Sequence, residues 1–139
     1  METPRSTFPP RKEPSQEVDD LARQVIGIAL EVHRVLGPGY VENVYEKAMR
    51  IEFDSRKVPF ENQLNVQVAY KGQLIGQGRI DFLVGRLLPV EIKAVGALLP
   101  VHQAQLISYL KMTNLQLGLL INFNVPLLKH GIKRVIFNP

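Results

Sequence analysis

The chain has 139 residues, 45% of them apolar and 22% charged, with a formal net charge of +4, the mixture of one ordinary globular domain that buries roughly two-thirds of its unfolded surface. Cysteine is absent, which excludes a disulfide framework and a cysteine-ligated zinc site. No apolar run approaches the ~20 residues of a membrane span and the N-terminus lacks the apolar core of a signal peptide, so a cytoplasmic location is expected.

Residues 1–16 carry Pro4, Pro9, Pro10 and Pro14 among charged and small polar residues, which predicts a disordered leader, with the domain itself over 17–139. From Glu17, Val18, Leu21, Val25, Ile28, Val32 and Val35 recur at spacings of three and four, the mark of a helix; Gly37-Pro38-Gly39 stops it. A second helix is expected from about Tyr40 to Arg56, with Val41, Val44, Tyr45, Ala48 and Met49 on its inner face and Pro59 at its end. Leu64, Val66, Val68 and Tyr70 then alternate with polar residues as in a strand. Lys71-Gly72 makes a tight turn into a second strand, and Gly85-Arg86 turns that strand into a third. Pro89, near the start of the third strand, lacks an N–H and is expected at a boundary or unpaired position. Pro100 opens a third helix, Val101 to about Thr113. Leu117 to Phe123 is a nearly continuous apolar run, as in a strand covered on both faces. Val125-Pro126 breaks it, and Ile132 to Phe137 forms a last short strand. The predicted order is α-α-β-β-β-α-β-β, an α/β (mixed α+β) fold.

The strands that meet at Gly85-Arg86 hold the most informative residues. Side chains alternate faces along a strand, so Glu91 and Lys93 project together while Val90, Ile92 and Ala94 point the other way. Hairpin pairing sets Asp81 across from them. Two carboxylates and an ammonium then converge on one polar spot of an apolar sheet, which is expensive unless the like charges are compensated. Mg²⁺, a hard cation that takes oxygen ligands, suits that role. The plainer reading of Glu91-x-Lys93 is a solvated strand face with a cross-strand ion pair.

Two helices add weaker signals. Glu42 and Tyr45 are three apart and share a face, although Glu42 also suits a helix N-terminus through the macrodipole. On the third helix His102, Gln105 and Tyr109 form a polar stripe, for which local capping or hydrogen bonding is the plainer reading. The basic residues are dispersed, among them Arg5, Lys47, Arg50, Lys57, Lys129 and Arg134, so the charge permits a polyanionic partner without demanding one.

Taken together, Asp81, Glu91-Ile92-Lys93, the helical Glu42 and Gln105-x-x-x-Tyr109 resemble the PD-(D/E)xK nuclease superfamily, in its RecB-like and lambda-exonuclease-like branch. Gly39-Tyr40-Val41-Glu42-Asn43-Val44-Tyr45 is similar to the signature of the GxxExxY protein family within it. Leu36-Gly37-Pro38-Gly39, Val101-His102-x-Ala104-Gln105-Leu106 and Gly118-Leu119-Leu120-Ile121-Asn122-Phe123-Asn124 also resemble that family, and the similarity spans about Val18 to Pro139. It implies a restriction-endonuclease-like core, a central mixed sheet of about four to five strands flanked by helices. The implied activity is Mg²⁺-dependent hydrolysis of phosphodiester bonds in nucleic acid, DNA before RNA, with Mn²⁺ able to substitute. By the resemblance Asp81 is the central metal ligand, Glu91 the second and the Ile92 carbonyl a third, with Glu42 acting directly or through water. Lys93 orients the attacking water or balances charge, and Gln105 and Tyr109 hold the scissile strand or the metal's outer shell. Ile80 stands where the superfamily's eponymous proline is expected, and Pro89 beside Glu91 is a second departure. The alternatives are a catalytically idle nucleic-acid-binding or scaffold domain, or a nuclease subunit active only with a protein partner; a homo-oligomer is also compatible with the sequence.

Overall fold

The first helix ends where a glycine adopts a conformation that other residues avoid. In the computed structural model, which describes residues 14–138, α1 (Gln16–Leu36) stops at Gly37, whose φ is 68° and whose N–H donates to the His33 carbonyl at 2.7 Å. At its other end the Ser15 hydroxyl accepts the Val18 N–H at 3.3 Å. The helix therefore begins at the last residue assigned to the leader, of which residues 1–13 lie outside the described residues. The inner stripe is as expected except for Val35, which is 65% exposed in the last turn.

Helix α2 (Glu42–Ser55) starts two residues later than its periodicity suggested. Gly39 has φ 108° and Val41 is extended, so Val41 precedes the helix and is 70% exposed instead of facing inward. The buried stripe is Tyr45, Met49 and Phe53. Tyr45 fixes this start. Its ring stacks on Phe123 with centroids 4.5 Å apart, and its hydroxyl donates to the Gly37 carbonyl at 2.6 Å and accepts the Tyr40 N–H at 3.2 Å. The interhelical turn is thus tied to the second turn of α2 through one phenol.

Strands β1 (Phe60–Tyr70) and β2 (Gln73–Val84) are joined by Lys71 and Gly72, both at positive φ (49° and 79°), as a twisted two-residue hairpin requires. Gly85 and Arg86 (φ 58° and 60°) turn the chain into β3 (Leu88–Lys93). Helix α3 (Pro100–Thr113), β4 (Leu117–Asn122), a short 3-10 turn over Leu128–His130 and β5 (Ile132–Ile136) complete the order. Among the described residues the five strands lie side by side in sequence order, antiparallel except for β3 and β4. That parallel pair needs a crossover, and α3 provides it. Pro89 opposes Leu83 of β2, but the β4 ladder begins only at Val90↔Leu119, so its missing N–H costs that ladder nothing.

The centre of the sheet, β3, β4 and the end of β2, is covered on both faces, as the apolar β4 run predicts. Leu117, Leu119 and Ile121 join Phe82, Val84, Leu88, Val90 and Ile92 in the core beneath α1 and α2. Leu120 faces the other way, packing with Leu106 and Leu110 of α3 and Val135 of β5. Helix α3 approaches closely because Gly118 carries no side chain; a Cβ there would meet Leu106 at 3.0 Å.

Tyr45→Phe is expected to destabilise the protein by about 1 kcal/mol through the lost hydroxyl bonds, and Tyr45→Ala by about 3–5 kcal/mol through the lost ring. Urea unfolding of the variants measures both; a Tyr45→Phe midpoint equal to wild type would show that the phenol does not hold the turn.

Candidate active site

Strand β2 loses both of its neighbours at Asp81. The β1–β2 register passes from Asn62↔Phe82 to Leu64↔Ile80 without pairing Gln63 and Asp81. The β2–β3 register ends at Phe82↔Val90, and one step further would set Asp81 opposite Glu91. An unpaired strand N–H inside a fold needs another acceptor, and here the two acids supply it. The Asp81 N–H donates to Glu91 Oε1 at 3.0 Å, and the Ile92 N–H donates to Asp81 Oδ2 at 2.8 Å. The strand also changes company at this point: Ile80 packs with Val66 and Tyr109, whereas Phe82 enters the core under α1 and α2.

Burial makes these acids reluctant to ionise. Glu91 is only 5% exposed; desolvation first and the Asp81 charge second push its carboxyl up to about 8, against the pull of the Asp81 N–H and Lys93. Desolvation also raises Asp81, opposed most by the Ile92 N–H, with Glu46 raising it and Lys93 lowering it. Glu42 is raised by burial, opposed by Lys93 and reinforced by Asp81 and Glu46. Lys93 thus acts on all three expected acids, although it makes no direct ion pair among the described residues. Val90 and Ile92 enter the core and Ala94 packs against it, the alternation expected for this strand.

Several participants were given no role in the sequence analysis. Glu46 lies one helical turn after Glu42, a spacing that puts both on one face, and it accepts Asn62 Nδ2 at 2.9 Å and, in a short contact, Gln63 Nε2. Gln63 Nε2 also reaches Asp81 Oδ1 at 3.5 Å, while Asn62 Nδ2 donates to the Asp81 carbonyl at 2.8 Å. The Glu42–Glu46 spacing was visible in the sequence; nothing in the β1 alternation marked Gln63. Asn122 is a third. Buried at the end of β4, it accepts the Val95 N–H and donates to the Val95 carbonyl, both at 3.0 Å, which fixes the chain leaving Lys93.

Gln105 and Tyr109 are brought to each other and not to the carboxylates. Gln105 Nε2 donates to the Tyr109 hydroxyl at 3.1 Å, and that hydroxyl accepts the Arg79 N–H at 3.4 Å, two residues before Asp81. The Tyr109 ring lies under Gly78, where a Cβ would sit 2.5 Å from Cε1. His102 caps α3 locally, its Nδ1 accepting the Leu99 N–H at 2.9 Å. The contact of Ile92 with Asp81 runs through its N–H rather than its carbonyl.

By donor type the cluster fits a hard divalent cation. Glu42, Glu46, Asp81 and Glu91 offer carboxylate oxygens, and Gln63 Oε1 is a buried amide oxygen with no hydrogen-bond partner. Among the described residues no three such acids or histidines are gathered closely enough to hold an ion between them; Asp81 and Glu91 each spend one oxygen on a strand N–H. No described helix is long and apolar enough to cross a membrane.

A sequence profile of the PD-(D/E)XK nuclease superfamily matches residues 19–135, a span that runs from α1 to β5. No curated protein matches the chain significantly.

The Glu91 carboxyl has its ordinary value of 4.5 in the unfolded chain and about 8 in the fold, so folding favours its neutral form. That stabilisation is complete below pH about 4.5 and is lost as pH rises through about 8. In chelator, the melting temperature of wild type minus that of Glu91→Gln is therefore expected to fall by several degrees between mildly acidic and mildly alkaline pH. A difference that stays flat, or rises, would contradict the raised value.

Proposed function

The chain belongs to the PD-(D/E)XK nuclease superfamily, and on that premise we propose that residues 17–139 act as one nuclease unit that hydrolyses phosphodiester bonds in DNA, or in RNA, with Mg²⁺ or Mn²⁺. The observation that carries the reading is the pair of half-buried Asp81 and buried Glu91, where the strand registers on both sides of β2 leave Asp81 unpaired. Within the superfamily we place the chain in the GxxExxY group, on Gly39, Glu42 and Tyr45, and hence in its RecB-like branch.

Asp81 and Glu91 would hold the cation, with Glu42 beside them on α2 and the Ile92 carbonyl as a further donor. A divalent cation held there relieves charge on the phosphoryl and leaving oxygens and makes water more acidic. Lys93, whose charge already acts on Asp81, Glu91 and Glu42, would orient the attacking water or balance charge. Gln105 and Tyr109 support this indirectly. Their hydrogen bonds reach the backbone of Arg79, so Tyr109 steadies the strand that carries Asp81, and Gln105, which is exposed, can meet a nucleic-acid strand.

Purified protein incubated with single- and double-stranded DNA and RNA should cleave in Mg²⁺ or Mn²⁺ and not in EDTA. Lys93→Ala should lose about a hundredfold or more in turnover while still binding Mn²⁺. Gln105→Ala and Tyr109→Phe should lose less, and nucleic-acid binding should weaken as salt rises. A wild-type protein that binds nucleic acid and Mn²⁺ yet cleaves no substrate would instead favour an idle binding domain, or a subunit that needs a protein partner.

A further inference from the structure

We propose that Gln63 and Glu46 extend the cation site, Gln63 through its amide oxygen and Glu46 through its carboxylate. This rests on the nuclease reading for the existence of the cation, but it adds two ligands that the superfamily's motif residues do not include.

The backbone of Gln63 is the first observation. Its φ is 58°, in the left-handed region that costs a non-glycine residue roughly 1–2 kcal/mol. The other non-glycine residues at positive φ, Lys57, Lys71, Arg86 and Asn114, lie in turns or at a helix end; Gln63 alone is inside a strand. Such strain persists where the surroundings fix it, and it gathers at functional sites. Here it falls opposite Asp81, in the gap of the β1–β2 register.

The side chain is the second. Its amide stands between two acids, donating to Glu46 and reaching Asp81 Oδ1 at 3.5 Å. Its oxygen is the one buried side-chain polar atom without a partner among the described residues, and leaving such an atom unpaired costs about 1–3 kcal/mol. A structural bridge between Glu46 and Asp81 would explain the nitrogen but not the orphaned oxygen. A cation between the two carboxylates would give that oxygen a partner, with the NH₂ group turned to where the oxygen now lies. It repels the NH₂ group and attracts the carbonyl, and a half-turn about the last side-chain bond exchanges them within the same volume. Amide carbonyls and carboxylates are the ligands a hard divalent cation takes.

Titration calorimetry with Mn²⁺ on the full chain tests the assignment, with melting in chelator as the control for folding. Gln63→Ala and Glu46→Gln should each weaken Mn²⁺ binding about tenfold or more. Gln63→Glu, which supplies a charged oxygen at the same place, should bind at least as tightly as wild type while melting lower in chelator. Asp81→Asn should lose binding altogether. If Gln63→Ala and Glu46→Gln bind like wild type while Asp81→Asn does not, Gln63 is only a bridge: the extension is wrong and the nuclease reading stands. Should Gln63→Ala fail to fold, weaker binding by Gln63→Glu overturns the proposal. Should wild type bind no Mn²⁺, the extension and the cation-dependent reading fall together.

Discussion

The buried centre of a sheet cannot leave its strand N–H groups unpaired, and around Asp81 this one does not have a strand to pair them with. The β2–β3 ladder stops at Phe82↔Val90, and the next two donors, on Asp81 and Ile92, go to the carboxylates of Glu91 and Asp81. Each acid therefore closes the hydrogen bond that its neighbour's backbone lost. Removing either carboxylate leaves a buried N–H without an acceptor, which costs about 1–3 kcal/mol. Asn122 does the same service at the end of β4, where its amide replaces a ladder for Val95. Side chains here finish the sheet that the backbone abandons, and the place where they do so is where buried charge accumulates.

The rest of the fold delivers groups to that opening. Tyr45 joins the turn at Gly37 to α2, which sets where α2 begins and so puts Glu46 beside Asn62 and Gln63, with Glu42 one turn before it. On the other side Gly78 and Gly118 let α3 lie close on the sheet. Tyr109 then reaches the backbone of Arg79, just upstream of Asp81. The glycine-to-tyrosine spacing around Glu42 thus has a packing reason: the glycine turns the chain, the tyrosine ties the turn, and the acid between them projects from the first helical turn.

Much of this was legible in the sequence because it depends on local periodicity and turn chemistry. The β4 run, the positive-φ pairs at Lys71-Gly72 and Gly85-Arg86, and the alternation of Val90, Ile92 and Ala94 all follow from rules of one or two residues' reach. The pairing of Asp81 with Glu91 follows from the second turn. What was not legible depends on distant contacts. Val41 has a helical neighbour pattern, yet Gly39 and the Tyr45 hydroxyl hold the chain extended there. Gln63 reads as a polar, solvent-facing position in an alternating strand, and only the parting of β1 from β2 turns it inward. Glu46 was within reach of sequence analysis, one turn from Glu42, but a second acid on a helix gains meaning only once β1 is seen beside it.

The division of labour within each carboxylate shows how such a cluster can be both structural and chemical. Asp81 commits Oδ2 to the Ile92 N–H and turns Oδ1 toward Gln63; Glu91 commits Oε1 to the Asp81 N–H. One oxygen of each acid positions the strand, and the second remains for whatever relieves the repulsion between them. Near neutral pH a proton on Glu91, whose carboxyl is raised to about 8, performs that role. On the nuclease reading a divalent cation would perform it instead. Because the strand N–H groups hold the acids through oxygens that need not move, exchanging the one for the other asks for no change in the sheet. The strand-facing oxygens of Asp81 and Glu91 are then already placed by the fold, whereas the remaining donors would still have to be drawn together around a cation.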